Sequence, residues 1–187
     1  MKYLITGLGN IGDEYANTRH NIGFIILDAM ASKSGATFKT DRYASVAQVK
    51  FKGRIMVLVK PSTYMNLSGK AYRYWLEKEN ILPENSLVVF DDLDLPLGTM
   101  RLKPSGSGGS HNGINHIIEI TQSINIPRLR AGIGSDFPKG RQVDYVLGRW
   151  NSDEEKILLP RIDMAIDMIK SFVTIGIDRT MNLYNNK

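Results

Sequence analysis

The side chain best suited to proton transfer at neutral pH lies in a short polar stretch near the start of the chain. His20 is part of "NTRHN" at 17–21, directly ahead of the apolar run "IGFIILDAM", and it is one of only 3 histidines. An imidazole titrates near neutrality, so it can act as a general base, and its neutral form can bind a metal. A third interpretation is a loop that leads into a helix. This stretch alone leaves all three open.

Compact polar residues stand where the predicted strands end. Asn10 follows the first strand, and Asn66, Asp91 and Asn112 each follow a later one, while His20 lies on the loop after strand one. In α/β sheets the functional site lies at the carboxyl ends of the strands. If these strands are neighbours, the five side chains therefore converge on one site.

Each of these residues also has a structural alternative. Asn66 and Asn112 could cap the helices that follow them, as Asn21 could after His20. Asn10 could occupy a turn, because Asn tolerates positive φ, and Asp91 could form an Asx turn. Any single residue is explained well in this way, but the whole set is explained less easily.

A metal centre is the rival chemical hypothesis for the same cluster. His20, His111 and Asp91 could ligate zinc. The chain, however, has no cysteine, no H-x-x-x-H or H-E-x-x-H spacing, and few acids beyond "DDLD". It also lacks the G-x-S-x-G pattern of a serine nucleophile. We therefore expect neither a metal nor a cofactor.

The glycine pattern "GLGNIG" at 7–12 matches a dinucleotide-binding fingerprint out of context. In that fingerprint the third glycine opens a helix, and an acid ends a second strand about 20 residues later. Here Gly12 leads into the polar "DEYANTRHN", and the nearest acid, Asp28, lies inside a helical pattern. The glycines are better interpreted as a tight turn.

The remaining chain alternates between strand and helix patterns. Strands are predicted at 2–6, 45–51, 54–60, 87–91 and 128–134, with further candidates at 98–103 and 143–147, and helices at 22–32, 68–80, 112–122, 153–173 and 177–185. Residues 45–51 and 54–60 should form a hairpin, and Pro160 should kink or delay its helix unless it lies in the first turn. The apolar stripe at 153–173, which includes Ile157, should pack on the core, with a lid over a cleft as the alternative. We expect a single three-layer α/β domain over 1–187, with a mixed twisted sheet flanked by helices on both faces.

Composition favours a soluble, cytosolic protein with an anionic partner. The chain has 187 residues, no cysteine and no apolar run near the ~20 residues of a membrane span. Its net charge is +5 and its pI about 9.4. Residues 97–149 hold 7 basic and 3 acidic residues, so 7 − 3 = +4 of this excess lies there. This imbalance favours nucleic acid; a solvated basic surface is the alternative.

Six ordered blocks carry a resemblance to a known family. The blocks are "GLGN…Y…TRHNIG", "KPSTYMNLSGKA", "FDDLDLPLG", "GSGGSHNGIN", "LRAGIG" and "DYVLGRW", and they cover about residues 3–150. In this order they resemble bacterial peptidyl-tRNA hydrolase. The resemblance implies a monomeric, cytoplasmic enzyme that needs no metal. Its substrate would be the ester between a peptide and the 3′ ribose of tRNA.

The resemblance also assigns roles to individual residues. His20 matches the histidine that takes a proton from the attacking water, and Asp91 matches the acid that holds this histidine in its basic form. Asn10 matches the residue that distinguishes N-blocked peptidyl-tRNA from free aminoacyl-tRNA. Further positions match residues that contact the tRNA end or the peptide (Tyr15, Tyr64, Asn66, Asn112), line the cleft (Met65, His111) or form a basic surface for tRNA phosphates (Arg101, Lys103, Arg130).

Two positions depart from the family pattern, and two rival functions stay open. Ile11 replaces the usual proline after Asn10, and Phe90 replaces a His or Tyr before Asp91, which removes a polar neighbour. The first rival is an RNA-binding module without catalysis, which would not need both His20 and Asp91. The second is a nucleotide-dependent oxidoreductase built on 7–12. The glycines at 106–109 either keep their loop mobile, the interpretation we prefer, or let backbone amides approach the tRNA end.

Overall fold

A seven-stranded mixed sheet separates two layers of helices in the computed structural model, which describes residues 1–187. The strands are β1 (Lys2–Gly7), β2 (Lys39–Asp41), β3 (Ala44–Phe51), β4 (Arg54–Pro61), β5 (Ser86–Asp92), β6 (Met100–Lys103) and β7 (Arg128–Gly132). The helices are α1 (Ile22–Lys33), α2 (Ser68–Glu79), α3 (Asn112–Thr121), α4 (Gln142–Val146), α5 (Ser152–Ile175) and α6 (Ile177–Tyr184).

The sheet order is β2-β3-β4-β1-β5-β7-β6. Its centre, β4-β1-β5-β7, is parallel, whereas β3 pairs antiparallel with β4 and β6 pairs antiparallel with β7. The predicted hairpin of β3 and β4 is confirmed, and so is the mixed sheet. Because β1 and β5 are direct neighbours, the residues that follow them meet at one edge, as the strand-end argument requires.

The two faces of the sheet build two apolar cores. Alternate residues of a strand point to opposite faces, so Ile5 packs under α1 and α5, while Leu4 packs under α2 and α3. The central strands are buried on both faces and therefore read as nearly continuous apolar runs. The predicted three-layer arrangement is confirmed.

Helix α5 continues through Pro160 without interruption. It begins at Ser152, where a capping box between Asn151 and Glu154 satisfies the first turn, so the predicted delay at the proline is wrong. Leu158, Ile162, Ala165, Ile166, Ile169 and Phe172 are buried in the core, as the stripe predicted. Ile157, which we counted in that stripe, is instead 52% exposed.

Two local predictions fail. Residues 143–147 were a strand candidate, but they fall in α4 and its C-cap. Their apolar residues at every second position coincide with helical i, i+3 and i+4 spacing, and short apolar patterns do not separate the two. Strand β2 is exposed throughout, so it carries no apolar pattern that could have revealed it.

The glycines of "GLGNIG" pack β1 against α1. A Cβ on Gly7 would lie 2.5 Å from the carbonyl oxygen of Gly23, and a Cβ on Gly23 would lie 2.5 Å from that of Val89. Gly12 has φ 111° and precedes a short 3₁₀ helix at Asp13–Tyr15. The motif therefore lacks the α-helix N-terminus that a pyrophosphate needs, and its glycines serve close packing and a turn.

Candidate active site

A cleft of about 710 Å³ opens at the carboxyl ends of β1 and β5. The structure places at its walls Asn10, His20, Tyr64, Met65, Asn66, Asp91, Lys103, His111, Asn112 and Arg130, all of them predicted site residues. Two predicted residues, Tyr15 and Arg101, do not line it. The expected convergence of polar side chains from several strand ends is therefore observed.

His20 lies in a 3₁₀ helix at Arg19–Asn21, immediately before α1. Its Nδ1 is 2.8 Å from Oδ2 and 3.0 Å from Oδ1 of Asp91. An ionised carboxylate only accepts hydrogen bonds, so Nδ1 carries the proton and the neutral ring keeps a lone pair on Nε2. Nε2 has no hydrogen-bond partner in the protein, and the side chain is 13% exposed on the cleft wall. This nitrogen is free to accept a proton.

Asp91 is buried near the end of β5, with 2% of its side chain exposed. Burial acts to raise the pKa of this carboxyl, but the electrostatic attraction of the His111 and His20 rings and the hydrogen bonds that they donate hold the pKa well below its usual range. The carboxylate is therefore ionised at neutral pH, as the donor assignment of His20 requires. The Asx turn that we considered for Asp91 is formed by Asp92, whose Oδ1 accepts from the amide of Asp94.

His111 is a second partner of Asp91. Its Nε2 is 2.9 Å from Asp91 Oδ1, and its Nδ1 accepts from the amides of Gly113 at 3.1 Å and Ile114 at 3.3 Å. It is therefore the N-cap of α3, so the capping alternative for Asn112 is wrong. The sequence predicted His111 as a residue that lines the cleft or, in the rival hypothesis, as a metal ligand beside His20 and Asp91. The signal for its contact with Asp91 is absent from local patterns, because the two residues are 20 positions apart.

Asn10 is clamped by Asn21 and Met65. The Asn21 side chain accepts from the Asn10 amide at 2.8 Å and donates to the Asn10 carbonyl at 2.9 Å, so Asn21 occupies the N-cap position of α1 without capping it. Asn10 Oδ1 accepts from the Met65 amide at 3.2 Å. The Nδ2 group of Asn10 has no partner in the protein and remains available to a ligand in the cleft. The φ of Asn10 is not positive, so the turn alternative fails.

Asn66 and Asn112 are exposed on the cleft wall, and neither side chain makes a hydrogen bond within the protein. Asn66 lies in the 3₁₀ helix at Met65–Leu67, ahead of the N-cap of α2, so it does not cap that helix. Each amide offers two N–H donors and a carbonyl acceptor without charge. Together with Asn10 they give the cleft neutral groups that suit a peptide backbone.

Comparison with known proteins agrees with this geometry. A family model described as peptidyl-tRNA hydrolase matches residues 4–187. The chain belongs to the peptidyl-tRNA hydrolase family. Curated peptidyl-tRNA hydrolases from Phocaeicola vulgatus and Cytophaga hutchinsonii are 56% and 54% identical to it, each over the full length of both chains. The crystal structure of peptidyl-tRNA hydrolase from Acinetobacter baumannii superposes with a TM-score of 0.92 at 38% identity, covering 98% of this chain and 94% of that one.

The family membership makes the chain a hydrolase, and the remaining features describe how this hydrolase supports its cleft. Arg19 anchors the loop that carries His20 to the helices that follow the sheet. Its guanidinium donates to the Tyr145 carbonyl at 3.0 Å, pairs with Glu154 at 2.9 Å and lies 4.2 Å from the centre of the Tyr145 ring. Its amide donates to the Gly148 carbonyl at 3.0 Å. No sequence pattern reveals this anchor, because its partners lie more than 120 positions along the chain.

Four basic residues share one face of the sheet at the β6 edge. Residues that pair directly across antiparallel strands lie on the same face, and here Arg101 pairs with Arg130 and Lys103 with Arg128. Arg130 is held by Asp92 at 2.6 Å, and Arg128 is buried against backbone carbonyls. Arg101 and Lys103 are exposed and form no ion pair within the protein. We call Arg101, Lys103 and Arg130 the basic strip.

The glycine-rich loop beside the basic strip is tied down by hydrogen bonds. Arg128 donates to the Ser107 carbonyl at 2.8 Å, and Gly106 donates to the Ile124 carbonyl at 3.0 Å. A Cβ on Gly108 would lie 2.1 Å from the Asn115 side chain, so this glycine allows a close contact. These contacts favour a defined loop over the mobile one that we preferred from the sequence.

His20, Asp91 and His111 are the one cluster whose ligand atoms could surround a metal, since these atoms lie within 4.8 Å of one another. The hydrogen bonds argue against that use. His111 Nδ1 accepts from two backbone amides, so its proton resides on Nε2, the nitrogen that would have to face the ion. Coordination would therefore require His111 to give up the cap of α3.

None of the helices combines the length and the apolar character that spanning a bilayer requires.

Proposed function

We propose that this enzyme hydrolyses the ester between a peptide and the 3′ end of tRNA, with His20 as the general base. The observation that carries this proposal is the pair of His20 Nδ1 and Asp91 Oδ2 at 2.8 Å, which leaves His20 Nε2 unpaired at the cleft wall. A base is needed because neutral water is a weak nucleophile. An imidazole oriented by a carboxylate is suited to this task at neutral pH.

The reaction runs through proton transfers at His20 Nε2. Water attacks the ester carbon while Nε2 takes its proton, and Asp91 stabilises the imidazolium that forms. As the bond to the ribose oxygen breaks, Nε2 returns the proton to that oxygen, giving free tRNA and a peptide with a carboxyl end. General base catalysis of this kind contributes roughly 10²–10⁴-fold in rate.

The three asparagines bind the peptide side of the substrate. Asn10 Nδ2 is the group that selects N-blocked peptidyl-tRNA over free aminoacyl-tRNA, and its fixed position is supported by the bonds to Asn21 and Met65. Asn66 and Asn112 supply further uncharged donors, of which one near a developing oxyanion can be worth about 10²–10³ in kcat. Neutral amides that contact mainly backbone suit an enzyme that accepts many peptide sequences.

The tRNA is bound by the basic strip and by aromatic residues near the cleft. Lys103 and Arg130 line the cleft and lead from it to Arg101, so tRNA phosphates can approach along this side. Tyr64 is 74% exposed and offers a ring to a base or the ribose. Tyr15 contacts the tRNA or the peptide from outside the cleft wall, and Met65 shapes the cleft floor.

We further infer that the enzyme works as a cytoplasmic monomer. The cleft draws all its predicted catalytic groups from one chain, which supports a monomer. The absence of cysteine suits a reducing compartment. Sedimentation velocity in the presence and absence of tRNA tests the first point, and cell fractionation tests the second.

A peptide-release assay tests the reaction and its selectivity together. Wild-type protein should release N-acetylated aminoacyl residues from tRNA and leave free aminoacyl-tRNA intact. His20→Ala should fold normally and lose more than nine-tenths of the activity, while His116→Gln, at a histidine outside the cleft, should keep it. EDTA should change nothing. Activity of His20→Ala above a tenth of wild type removes His20 as the base, and strong inhibition by EDTA revives the metal hypothesis.

The same assay addresses the rival functions. Wild-type protein that binds tRNA without releasing peptide would be an RNA-binding module. Binding of NAD in a titration would favour the oxidoreductase hypothesis, which the turn after Gly12 does not support.

A further inference from the structure

We propose that His111 is a positioning residue, fixed as the neutral tautomer with its proton on Nε2, which holds the Asp91 carboxylate in the orientation that His20 needs. The proposal rests on the function proposed above, and it assigns His111 a task other than lining the cleft. The chain of contacts runs from the N-terminus of α3 through His111 and Asp91 to His20.

The hydrogen-bond donors determine the tautomer. Backbone amides can only donate, so His111 Nδ1, which receives those of Gly113 and Ile114, is an acceptor and carries no proton. Its Nε2 lies 2.9 Å from Asp91 Oδ1, an acceptor when ionised, so Nε2 is the donor. Protonation of Nδ1 would set that nitrogen against two N–H groups at a helix N-terminus, where positive charge is disfavoured. The two backbone amides therefore determine the tautomer, with the ring proton on Nε2.

The choice of residue at the N-cap supports a second role. Asn, Asp, Ser and Thr are the favoured N-cap residues, and histidine is not among them. Here a histidine that is only 8% exposed caps α3. Asn or Ser would satisfy the same amides, but neither side chain is long enough to cap α3 and reach Asp91 as well. The histidine is explained by the contact that its Nε2 makes.

The packing around the ring leaves it little freedom. Its centroid lies 4.9 Å from that of Phe90 and 4.9 Å from that of His20. A Cβ on Gly113 would lie 3.0 Å from His111 Cε1 and 2.6 Å from Met65 Sδ, so the ring needs the glycine beside it. Phe90, where this chain departs from the polar residue typical of the family, thus forms an apolar wall of the His111 site.

The two oxygens of Asp91 are consequently given different partners. His111 bonds to Oδ1, whereas His20 has its shorter contact, 2.8 Å, with Oδ2. Without the His111 donor, a buried carboxylate oxygen loses a hydrogen bond and the carboxylate is freer to rotate. His20 would then present Nε2 to water in a less defined direction. This loss acts on the chemical step rather than on substrate binding.

The substitution His111→Asn separates the two roles. Asparagine can cap α3, so the melting temperature should stay within a few degrees of wild type, but its side chain cannot also reach Asp91. We expect kcat for peptide release to fall about 10–100-fold, the loss found when hydrogen-bond partners that orient metal-binding histidines and carboxylates are removed, with KM within twofold of wild type. His111→Ala, which removes the cap as well, should show the same kcat loss together with a lower melting temperature.

Two kinetic outcomes contradict the proposal. If His111→Asn keeps kcat within twofold of wild type, His111 does not position Asp91. If KM rises while kcat is unchanged, His111 contacts the substrate and has no positioning role. If wild type itself releases no peptide, the proposed function fails, and the tautomer is then decided by spectroscopy alone.

Nuclear magnetic resonance tests the tautomer without any substrate. In ¹⁵N-labelled wild-type protein at neutral pH, His111 should show an unprotonated Nδ1 and a protonated Nε2, and His20 the opposite arrangement. The His111→Asn variant identifies the His111 signals by their absence. A His111 ring protonated on Nδ1, alone or in addition to Nε2, would overturn the assignment.

Discussion

Asp91 accepts hydrogen bonds from two imidazoles that are held in different tautomers. His20 donates through Nδ1 and His111 through Nε2, so the carboxylate accepts hydrogen bonds from two directions. His20 Nε2 is left as a free basic nitrogen that faces the cleft. Because the pKa of Asp91 lies well below its usual range, this carboxylate is already ionised before the pH becomes neutral. Protonation of Asp91 should therefore not account for any loss of activity on mild acidification.

Replacing the carboxylate by its amide should disable the base without removing the side chain. In Asp91→Asn the amide can serve one ring as an acceptor but offers an N–H group to the other. If the amide oxygen faces His20, the imidazolium that forms during the reaction loses the negative charge that stabilises it. If the amide N–H group faces His20, the ring carries its proton on Nε2, and that nitrogen can no longer act as a base. We expect kcat to fall on the order of 10³–10⁴-fold, as for other base–carboxylate pairs. Steady-state kinetics measure this, with Asp178→Asn, at an exposed position of α6, as a control for loss of charge. A fall of less than tenfold would show that orientation by Asp91 matters little.

At the scale of elements, the contact of β1 with α1 determines where Asn10 and His20 lie. Asn10 ends the segment after β1, and His20 immediately precedes α1, so the distance between strand and helix fixes the distance between the two residues. Gly7 and Gly23 allow the backbones to approach without intervening side chains, since a Cβ on either would meet the other segment at 2.5 Å. Asn21 then joins the two segments through two hydrogen bonds.

Adding one methyl group at this contact should destabilise the fold. In Gly23→Ala the new Cβ would lie 2.5 Å from backbone atoms of Leu8 and Val89, which cannot move aside as a flexible side chain can. Overpacking of this kind costs roughly 1–3 kcal/mol. Thermal denaturation should show a fall of about 2–4 °C for each kcal/mol in a protein of this size. Ser32→Ala, on the exposed side of α1, is the matched control and should leave the melting temperature nearly unchanged. An unchanged melting temperature in Gly23→Ala would mean that the two segments separate at little cost.

At the scale of the whole molecule, the basic side chains and the uncharged amide side chains lie on opposite sides of the cleft. The basic strip lies at the β6 edge of the sheet, whereas Asn10 and Asn66 lie on the side of β1 and β4. A substrate that joins a polyanion to a peptide of variable sequence matches this division. Lys103 is the residue of the strip that lines the cleft and has no acidic partner, so its charge is fully available to a phosphate.

Removing that charge should weaken tRNA binding in a salt-dependent way. Each phosphate contact releases about one counterion, so Lys103→Ala should reduce the slope of log affinity against log salt by about one. Lys50→Ala, on the exposed face of β3 and towards the opposite end of the sheet, should leave the slope unchanged. Fluorescence titration of deacylated tRNA over a range of salt concentrations measures both. Equal slopes for wild type and Lys103→Ala would mean that Lys103 contacts no tRNA phosphate.

The sequence predicted the architecture and the cluster because both depend on local signals. Parallel buried strands have nearly continuous apolar sequences, and the polar residues at their carboxyl ends identify the edge at which Asn10, Asn66 and Asp91 meet. For Asn112 the strand-end argument is wrong, because β6 is antiparallel and the chain returns to this edge through the loop that follows it. The short α4 was misread because its few residues satisfy two periodicities at once. The exposed strand β2 has no apolar pattern to detect.

What the sequence could not provide was the partnership between distant side chains. The anchor of Arg19 to Tyr145 and Glu154, the clamp of Asn10 by Asn21, and the second hydrogen bond to Asp91 all depend on which loops meet in space. None of these pairs has a fixed spacing along a chain. The sequence shows the residues themselves, and the resemblance to the family indicates most of their roles, but only the folded structure defines their donors and acceptors.

Because Arg19 anchors the loop that carries His20, a molecule can be folded and still be inactive when this anchor is broken. The loop that carries His20 is held by α4, which has no buried residue, and by the first turn of α5, which precedes the first buried residue of that helix, Leu158. Segments with few buried contacts can open locally while the central sheet remains intact. Each such opening would release the loop that carries His20 and stop catalysis without a large change in secondary structure. On heating, catalysis should therefore be lost before the fold, and the attachment of α4 and the first turn of α5 to this loop should set the highest temperature at which the enzyme works.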